Sequence, residues 1–269
     1  MQNALERVPL WRDGWRGSGR LVLLLDFDGT LAPIVARPEL ARMPERTRRA
    51  LDRLMAMEGV EVAVVSGRGL ADVRDLAAIP GIAYAGNHGM EIEGAGLHRI
   101  HPEAAAARPE LEEVSGLIGR ALAGIDGAFV EDKGLTLSIH YRQAADREAE
   151  VRAAVHAAAD GRPGLRVTGG KMVLEVRPRV EWDKGRAVLF LLEQMRPPAD
   201  APILYLGDDR TDEDAFRALD GWSANAEGVL IADPLPEESA AKSRLHEPAE
   251  VGALFEALAE GIRELGNRE

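Results

Sequence analysis

Five consecutive aliphatic residues, Leu21-Val22-Leu23-Leu24-Leu25, run directly into Asp26-Phe27-Asp28-Gly29-Thr30. An apolar run of this length without polar alternation describes a strand covered on both faces, which is the condition of a parallel sheet flanked by helices. In open α/β sheets, ligands gather outside the carboxyl ends of the strands. Side chains two apart on an extended segment point the same way, so Asp26 and Asp28 can share one task there. Gly29 lets the chain turn sharply away, and Thr30 brings a hydroxyl to the same spot. Asp-x-Asp is a common dipeptide pattern, and an acidic strand-to-loop turn without chemistry is the competing reading at this point.

The rest of the chain repeats the arrangement. A helical stripe of Ala50, Leu51, Leu54 and Met57 opens at Pro44 and ends at Gly59. A second apolar run over 60–65 is followed by Ser66-Gly67-Arg68, much as the first is followed by its two aspartates. Two successive β–α units predict a parallel sheet with right-handed crossovers. A third short strand over 82–85 ends in Gly86-Asn87-His88-Gly89.

From His101 the pattern changes to a helix reaching residue 123, strands over 128–131 and 135–142, a helix over 144–159, and strands over 165–168 and 171–177. Helix, two strands, helix, two strands predicts a small α+β unit inserted into the larger sheet. After Pro178 the α/β pattern resumes, with a helix over 184–195 and a buried strand over 203–206 that ends in Gly207-Asp208-Asp209. Thr211 followed three places on by Asp214 has the spacing of a capping box for the next helix. Val251, Leu254, Phe255, Leu258, Ile262 and Leu265 form a last helical stripe. The fold class expected is therefore α/β: a Rossmann-like parallel-sheet core formed by 1–100 and 179–269, with an α+β insert over 101–178.

A net charge of −12 opposes general binding to nucleic acid or anionic membranes, both of which need a basic footprint. The absence of cysteine removes disulfides, thiolate metal sites and a cysteine nucleophile. Residues 1–20 carry arginines and tryptophans without an apolar signal core, and no apolar run reaches the roughly 18 residues of a membrane span. These features predict a cytoplasmic protein, monomeric, without nucleic-acid or membrane partners. Residues 1–19 contain no assignable motif.

Four polar clusters fall at strand ends or helix starts: Asp26/Asp28, Ser66, Lys184 and Asp208/Asp209. Singly, Ser66 reads as a helix cap, Lys184 as a solvated lysine, and the acidic run 208–214 as a helix start favoured by the dipole. In this order and context, the four together resemble the motifs of the haloacid dehalogenase superfamily. The chemistry asks for the same residue types, because phosphoryl transfer from a sugar oxygen is mainly positioning and neutralisation of spreading negative charge. The resemblance implies that Asp26 is the nucleophile forming an aspartyl-phosphate, and that Asp28 protonates the leaving alcohol and then activates water. It implies Mg2+ held by Asp26, the main-chain carbonyl of Asp28, and Asp208, with Asp209 and Asp212 orienting its water. Lys184 would neutralise the phosphoryl oxygens and hold Asp26 ionised, while Ser66 and Thr30 would hydrogen-bond the same oxygens.

The inserted strands are two-faced. Leu135, Leu137, Ile139 and Tyr141 alternate with Thr136, Ser138, His140 and Arg142, and Lys171, Val173, Glu175 and Arg177 alternate with Met172, Leu174 and Val176. The polar face suits a sugar phosphate, and equally suits a solvated outer surface. The runs Asn87-His88-Gly89-Met90-Glu91, Glu131-Asp132-Lys133, Ser138-Ile139-His140-Tyr141-Arg142, Gly170–Pro178, Asp183-Lys184-Gly185 and Gly207-Asp208-Asp209-Arg210-Thr211-Asp212-Glu213-Asp214-Ala215-Phe216 resemble the trehalose-6-phosphate phosphatase branch of that superfamily. The resemblance implies that the insert is a substrate-specifying cap that closes over the site, and that the substrate is the small-molecule sugar phosphate trehalose 6-phosphate. By that match Glu131, Lys133, Lys171 and Glu175 are candidates for holding the sugar and phosphate, with His140, Arg142 and Arg68 as further candidates. With no synthase segment, a stand-alone phosphatase is expected. The rival readings are a phosphatase of sucrose phosphate or mannosyl-phosphoglycerate, a mutase, and a sugar-phosphate-binding regulator without turnover.

Overall fold

The structure is a computed structural model that describes residues 1–35, 37–170 and 172–266, with side chains described through Arg263. In chain order the first part contains β1 (Gln2–Asn3), α1 (Ala4–Ser18), β2 (Leu21–Leu25), α2 (Glu45–Met55), β3 (Val60–Val65), α3 (Leu70–Ala77), β4 (Ala83–Gly86), β5 (Glu91–Gly94) and β6 (Leu97–Ile100). The insert contains α4 (Pro102–Ala106), α5 (Arg108–Leu122), β7 (Phe129–Asp132), β8 (Leu137–His140), α6 (Glu148–Ala159), β9 (Leu165–Gly170) and β10 (Val173–Pro178). The last part contains α7 (Lys184–Met195), β11 (Ile203–Gly207), α8 (Asp212–Asp220), β12 (Ala226–Ile231), β13 (Ser243–Leu245) and α9 (Pro248–Gly266).

The larger sheet has the order β1-β13-β12-β11-β2-β3-β4-β5-β6. It is parallel from β1 to β4 and antiparallel only at the β4-β5-β6 edge. The unbroken apolar run of β2 splits its side chains between two cores. Leu21, Leu23 and Leu25 pack with residues of α1, α2 and α9, whereas Val22 and Leu24 pack with residues of α7 and α8. Each fully buried aliphatic side chain of this kind contributes about 1.5–3 kcal/mol. Pairing Leu25 with Leu206 levels the ends of β2 and β11, and the Asp26 amide donates to the Leu206 carbonyl at 2.9 Å. The two central strands therefore deliver their polar tips side by side.

Several elements differ from expectation. Residues 91–100 form the hairpin β5-β6, whose turn passes through Gly94, Ala95 and Gly96, all at positive φ. The helix expected to reach 123 breaks into α4 and α5 at Ala107, because Pro109, in the first turn of α5, cannot continue an incoming helix. The helix expected over 144–159 starts at Glu148 after an irregular turn. Residues 1–19, opaque in sequence, form α1, which buries Ala4, Val8 and Trp11 in the core and packs on α9.

The insert builds a separate four-stranded antiparallel sheet in the order β7-β8-β10-β9. One face, bearing Leu137, Ile139, Leu174 and Val176, packs against Leu111, Val114 and Ile118 of α5 and Val151 and Val155 of α6. The other face, bearing Glu131, Ser138 and Glu175 as cross-strand neighbours, turns toward the core domain, where Glu175 meets His88. The polar face is thus the inner face of the assembly rather than its solvated outside.

The amino end is fastened by an ion pair. Arg7 Nε donates to Glu227 Oε1 at 2.9 Å, and the Ser243 hydroxyl donates to the same oxygen at 2.9 Å. Glu227 is buried, and Arg7 is its cationic partner. Arg7→Ala is expected to cost about 3 kcal/mol in urea unfolding, the scale of stranding one partner of a buried pair, and to open α1 to limited proteolysis. Adding Glu227→Gln should recover most of that loss; a deficit undiminished in the double variant would count against the assignment.

Candidate active site

Asp26 stands at the tip of β2 and Lys184 is the first residue of α7. Asp183 caps that helix, its carboxylate accepting from the Arg186 amide at 2.8 Å. A cation in the first turn opposes the helix dipole, and Lys184 is only 3% exposed. Its position is explained by its partners. The ammonium donates to Asp26 Oδ1 at 2.8 Å and to Asp212 Oδ1 at 2.6 Å. These two carboxylates hold the Lys184 ammonium well above its ordinary pKa although burial works against it.

Asp212, the first residue of α8, is fully buried and makes four contacts: it accepts from Lys184, from the Tyr205 hydroxyl at 2.6 Å, and from the Asp208 and Asp209 amides at 3.0 Å each. It lies at the centre of the network, behind the Asp208–Asp209 turn whose amides it accepts from. The capping box at Thr211 does not form. Asp209 Oδ1 takes its place, accepting from the Thr211 amide and hydroxyl and the Asp212 amide.

Oxygen atoms of Asp26, Asp208 and Asp212 lie within 4.8 Å of one another. Burial, and then the neighbouring carboxylates, raise the Asp208 pKa to about 8; burial also raises Asp26, against the pull of Lys184. Three carboxylates facing one ammonium leave an excess that a divalent cation cancels, and hard oxygen donors suit such an ion. The backbone is shaped to the same purpose. Gly29 sits at φ 80°, and a Cβ there would fall 2.0 Å from Asp208 Oδ2, so only glycine lets the Asp26–Thr30 turn approach that carboxylate.

Asp28 points to Arg68. The guanidinium donates through Nε to Asp28 Oδ2 at 2.6 Å and through Nη2 to Oδ1 at 2.7 Å, with further bonds to Asp72 at 2.6 Å and the Pro38 carbonyl at 2.8 Å. Arg68, expected on the phosphate, is committed to carboxylates, which raise its pKa although burial lowers it. Ser66 is buried and accepts from the Arg68 amide at 3.2 Å; the Thr30 hydroxyl is buried without a protein partner.

The cap meets the core at a short turn where Asn87, His88 and Gly89 all adopt positive φ. Asn87 donates to the Lys133 carbonyl at 2.9 Å and accepts from the Thr136 hydroxyl at 2.7 Å, and Lys133 Nζ donates to the Gly67 carbonyl at 3.2 Å. Glu175 lies 3.6 Å from His88 Nε2, 3.7 Å from Lys133 Nζ and 3.9 Å from Arg177. Glu131 pairs with His140 at 2.7 Å. Lys171 lies outside the described residues. Sequence reasoning passed over Tyr205, Asp72 and His88 as site residues; the signals were a lone phenol in an aliphatic strand and an acid four places after Arg68 on the next helical turn.

With this geometry in place, comparison with known proteins is decisive. Residues 24–249 match the family model described as trehalose-phosphatase. The chain belongs to the trehalose-phosphatase family. It is 42% identical over 257 residues to a trehalose-phosphate phosphatase of Mycobacterium avium, an alignment covering 93% of this chain and 64% of the relative; the chain thus spans just under two thirds of that relative's length. Among solved structures, it is similar to the C-terminal domain of a C. albicans trehalose-6-phosphate phosphatase, with TM-score 0.79, 26% identity and coverage of 97% and 98% of the two chains. It is also similar to an Aspergillus fumigatus trehalose-6-phosphate phosphatase, with TM-score 0.64, 29% identity and coverage of 97% and 99%. In this family member the α/β core and the fold of the matched structures agree.

Burial would raise the Glu175 carboxyl, but His88, Lys133 and Arg177 outweigh it and hold its pKa at about 2, below the ordinary 4.5. A carboxyl depressed on folding stabilises the native state fully above its unfolded value, and that contribution is lost as pH falls from about 4.5 toward about 2. The shift corresponds to roughly 3 kcal/mol. Urea unfolding across this window should show a shallower acid loss in Glu175→Gln than in wild type; identical slopes would contradict the assignment.

Proposed function

We propose that this chain hydrolyses trehalose 6-phosphate to trehalose and inorganic phosphate. The observation that carries the proposal is the buried Asp26-Lys184-Asp212 network beneath a polar cap face, in a chain of the trehalose-phosphatase family whose relatives are named for that substrate.

The chain's own residues support a two-step transfer. An Asp26 oxygen attacks phosphorus, the bond from phosphorus to the sugar oxygen breaks, and Asp28 gives its proton to the departing alkoxide. Water then attacks the phosphorus of the aspartyl-phosphate, Asp28 takes a proton from that water, and the bond from phosphorus to the Asp26 oxygen breaks. Lys184 steadies Asp26 and meets the charge on the phosphoryl oxygens. Thr30 and Ser66 offer hydroxyls to those oxygens, and the unpartnered Thr30 hydroxyl is free to do so. Arg68 grips both oxygens of Asp28, so one of its bonds must yield when Asp28 carries a proton. Glu131, Lys133 and Glu175 provide the mixed donors and acceptors that sugar hydroxyls require.

Asp26 and Asp208, with the Asp28 carbonyl, would hold Mg2+, and Asp212, whose oxygens already accept four hydrogen bonds, would stand behind them. When bound, the ion supplies a positive charge that offsets the carboxylates and the phosphoryl oxygens.

Two outcomes are expected. Across a panel of sugar phosphates, phosphate release should be fastest from trehalose 6-phosphate and abolished by Asp26→Asn; no preference in the panel, or full activity of the variant, would overturn the proposal. Independently of turnover, Mg2+ at about 100 times its Kd should stabilise the protein by about 2.7 kcal/mol, measured by thermal unfolding, and Asp208→Asn should lose most of that gain. A gain equal in both proteins would remove Asp208 from the metal site.

A further inference from the structure

Phe129 lies on the wrong face of the cap sheet for cap packing. Its neighbours on β7 divide by alternation: Val130 joins the apolar cluster with α5 and α6, whereas Phe129 shares the opposite face with Glu131. Phe129 pairs across with His140, and His140 with Val173. This row stands one strand repeat, about 7 Å, outward from the row of Glu131, Ser138 and Glu175. The inner row adjoins the core turn that carries Ser66 and Arg68, since Glu175 lies 3.6 Å from His88 Nε2 and 3.7 Å from Lys133 Nζ, which donates to the Gly67 carbonyl at 3.2 Å.

The aromatic ring is held rather than loose. It is stacked on the His140 imidazole with centroids 4.8 Å apart and planes 19° apart, and Glu131 fixes that imidazole at 2.7 Å. Phe129 nevertheless remains 52% exposed, on a strand paired along one side only. A lone exposed apolar residue needs no explanation. An exposed ring braced by the hydrogen-bonded His140–Glu131 pair and sharing the polar face of the sheet does. The core segment that sends the Pro38 carbonyl to Arg68 also exposes Leu40.

We propose that Phe129 determines specificity for a disaccharide: its free face stacks against the second, unphosphorylated ring when the phosphate end occupies Asp26 and Lys184. A pyranose carries C–H groups across its face and hydroxyls around its rim, so an aromatic plane takes the face while Glu131 and His140 take the rim. One strand repeat is on the scale of a single sugar ring, which places the first ring under the inner row and the second under Phe129. This inference rests on the disaccharide phosphate being the substrate.

The test compares wild type, Phe129→Ala and Phe129→Trp on trehalose 6-phosphate, glucose 6-phosphate and p-nitrophenyl phosphate. Phe129→Ala should raise KM for the disaccharide by about fivefold with little change in kcat, leave both smaller esters unchanged, and be rescued by Phe129→Trp. An equal loss on all three esters, or no loss on the disaccharide, overturns the role. If wild type itself fails to prefer trehalose 6-phosphate over glucose 6-phosphate, the substrate assignment fails and the platform falls with it. If wild type shows the preference and Phe129→Ala keeps it, only the platform falls. Saturation-transfer NMR with free trehalose gives a readout without turnover: transfer from aromatic protons to sugar C–H protons should be present in wild type and lost in Phe129→Ala, and its persistence in the variant would refute the contact.

Discussion

The Lys184 ammonium, buried between Asp26 and Asp212, is the interaction on which the architecture turns. A charge removed from water must be compensated close by or it destabilises the fold. Here the compensation draws in four elements. Asp26 arrives on β2, Lys184 on α7, Asp212 on α8 and Tyr205 on β11, while the amides of Asp208 and Asp209 complete the shell of Asp212. Moving any of these elements leaves a carboxylate or an ammonium unpaired in a dry place. The site is therefore a constraint on the α/β core as well as its product, and the levelling of the β2 and β11 ends follows from both.

The cap shows how one sheet can serve two masters through alternation alone. Its apolar residues face α5 and α6, and its charged residues face the core domain. Glu175 ties the two together through His88, the one core residue among its three charged or polar partners, while Lys133 and Arg177 of the insert hold it from its own side. The turn through Asn87, His88 and Gly89 reinforces the junction. Two consecutive non-glycine residues in the left-handed region carry a backbone cost, offset by the bonds Asn87 makes to Lys133 and Thr136.

Much of this was legible in the chain. The unbroken run 21–25 announced a two-sided strand, and the order of Asp26, Ser66, Lys184 and Asp208 announced the site, because strand ends in a parallel sheet are where polar tips converge. What escaped depended on contacts rather than on pattern. The β5-β6 hairpin is short and turns through glycines, so its periodicity never exceeds a loop's. Thr211 has capping-box spacing, yet its amide and hydroxyl are both taken by Asp209. Arg68 carries no local sign that one of its partners is Asp28, forty residues earlier. The α1 helix lacked a motif because its role is packing, expressed only when α9 and Glu227 are beside it.

The positions joined by Lys184 are far apart along the chain: Asp26 lies 158 residues before it and Asp212 lies 28 after it. During synthesis, β2 and β3 can pair long before either partner exists. Until the α7 and α8 segments emerge, Asp26 ends a growing sheet with no counter-charge, and the apolar face that will receive α7 and α8 stays bare. The inserted cap, with a core cluster of its own, lies between and is free to form in that interval. Neutralising Asp26 and covering this face of the sheet therefore depend on the same late segments of the chain.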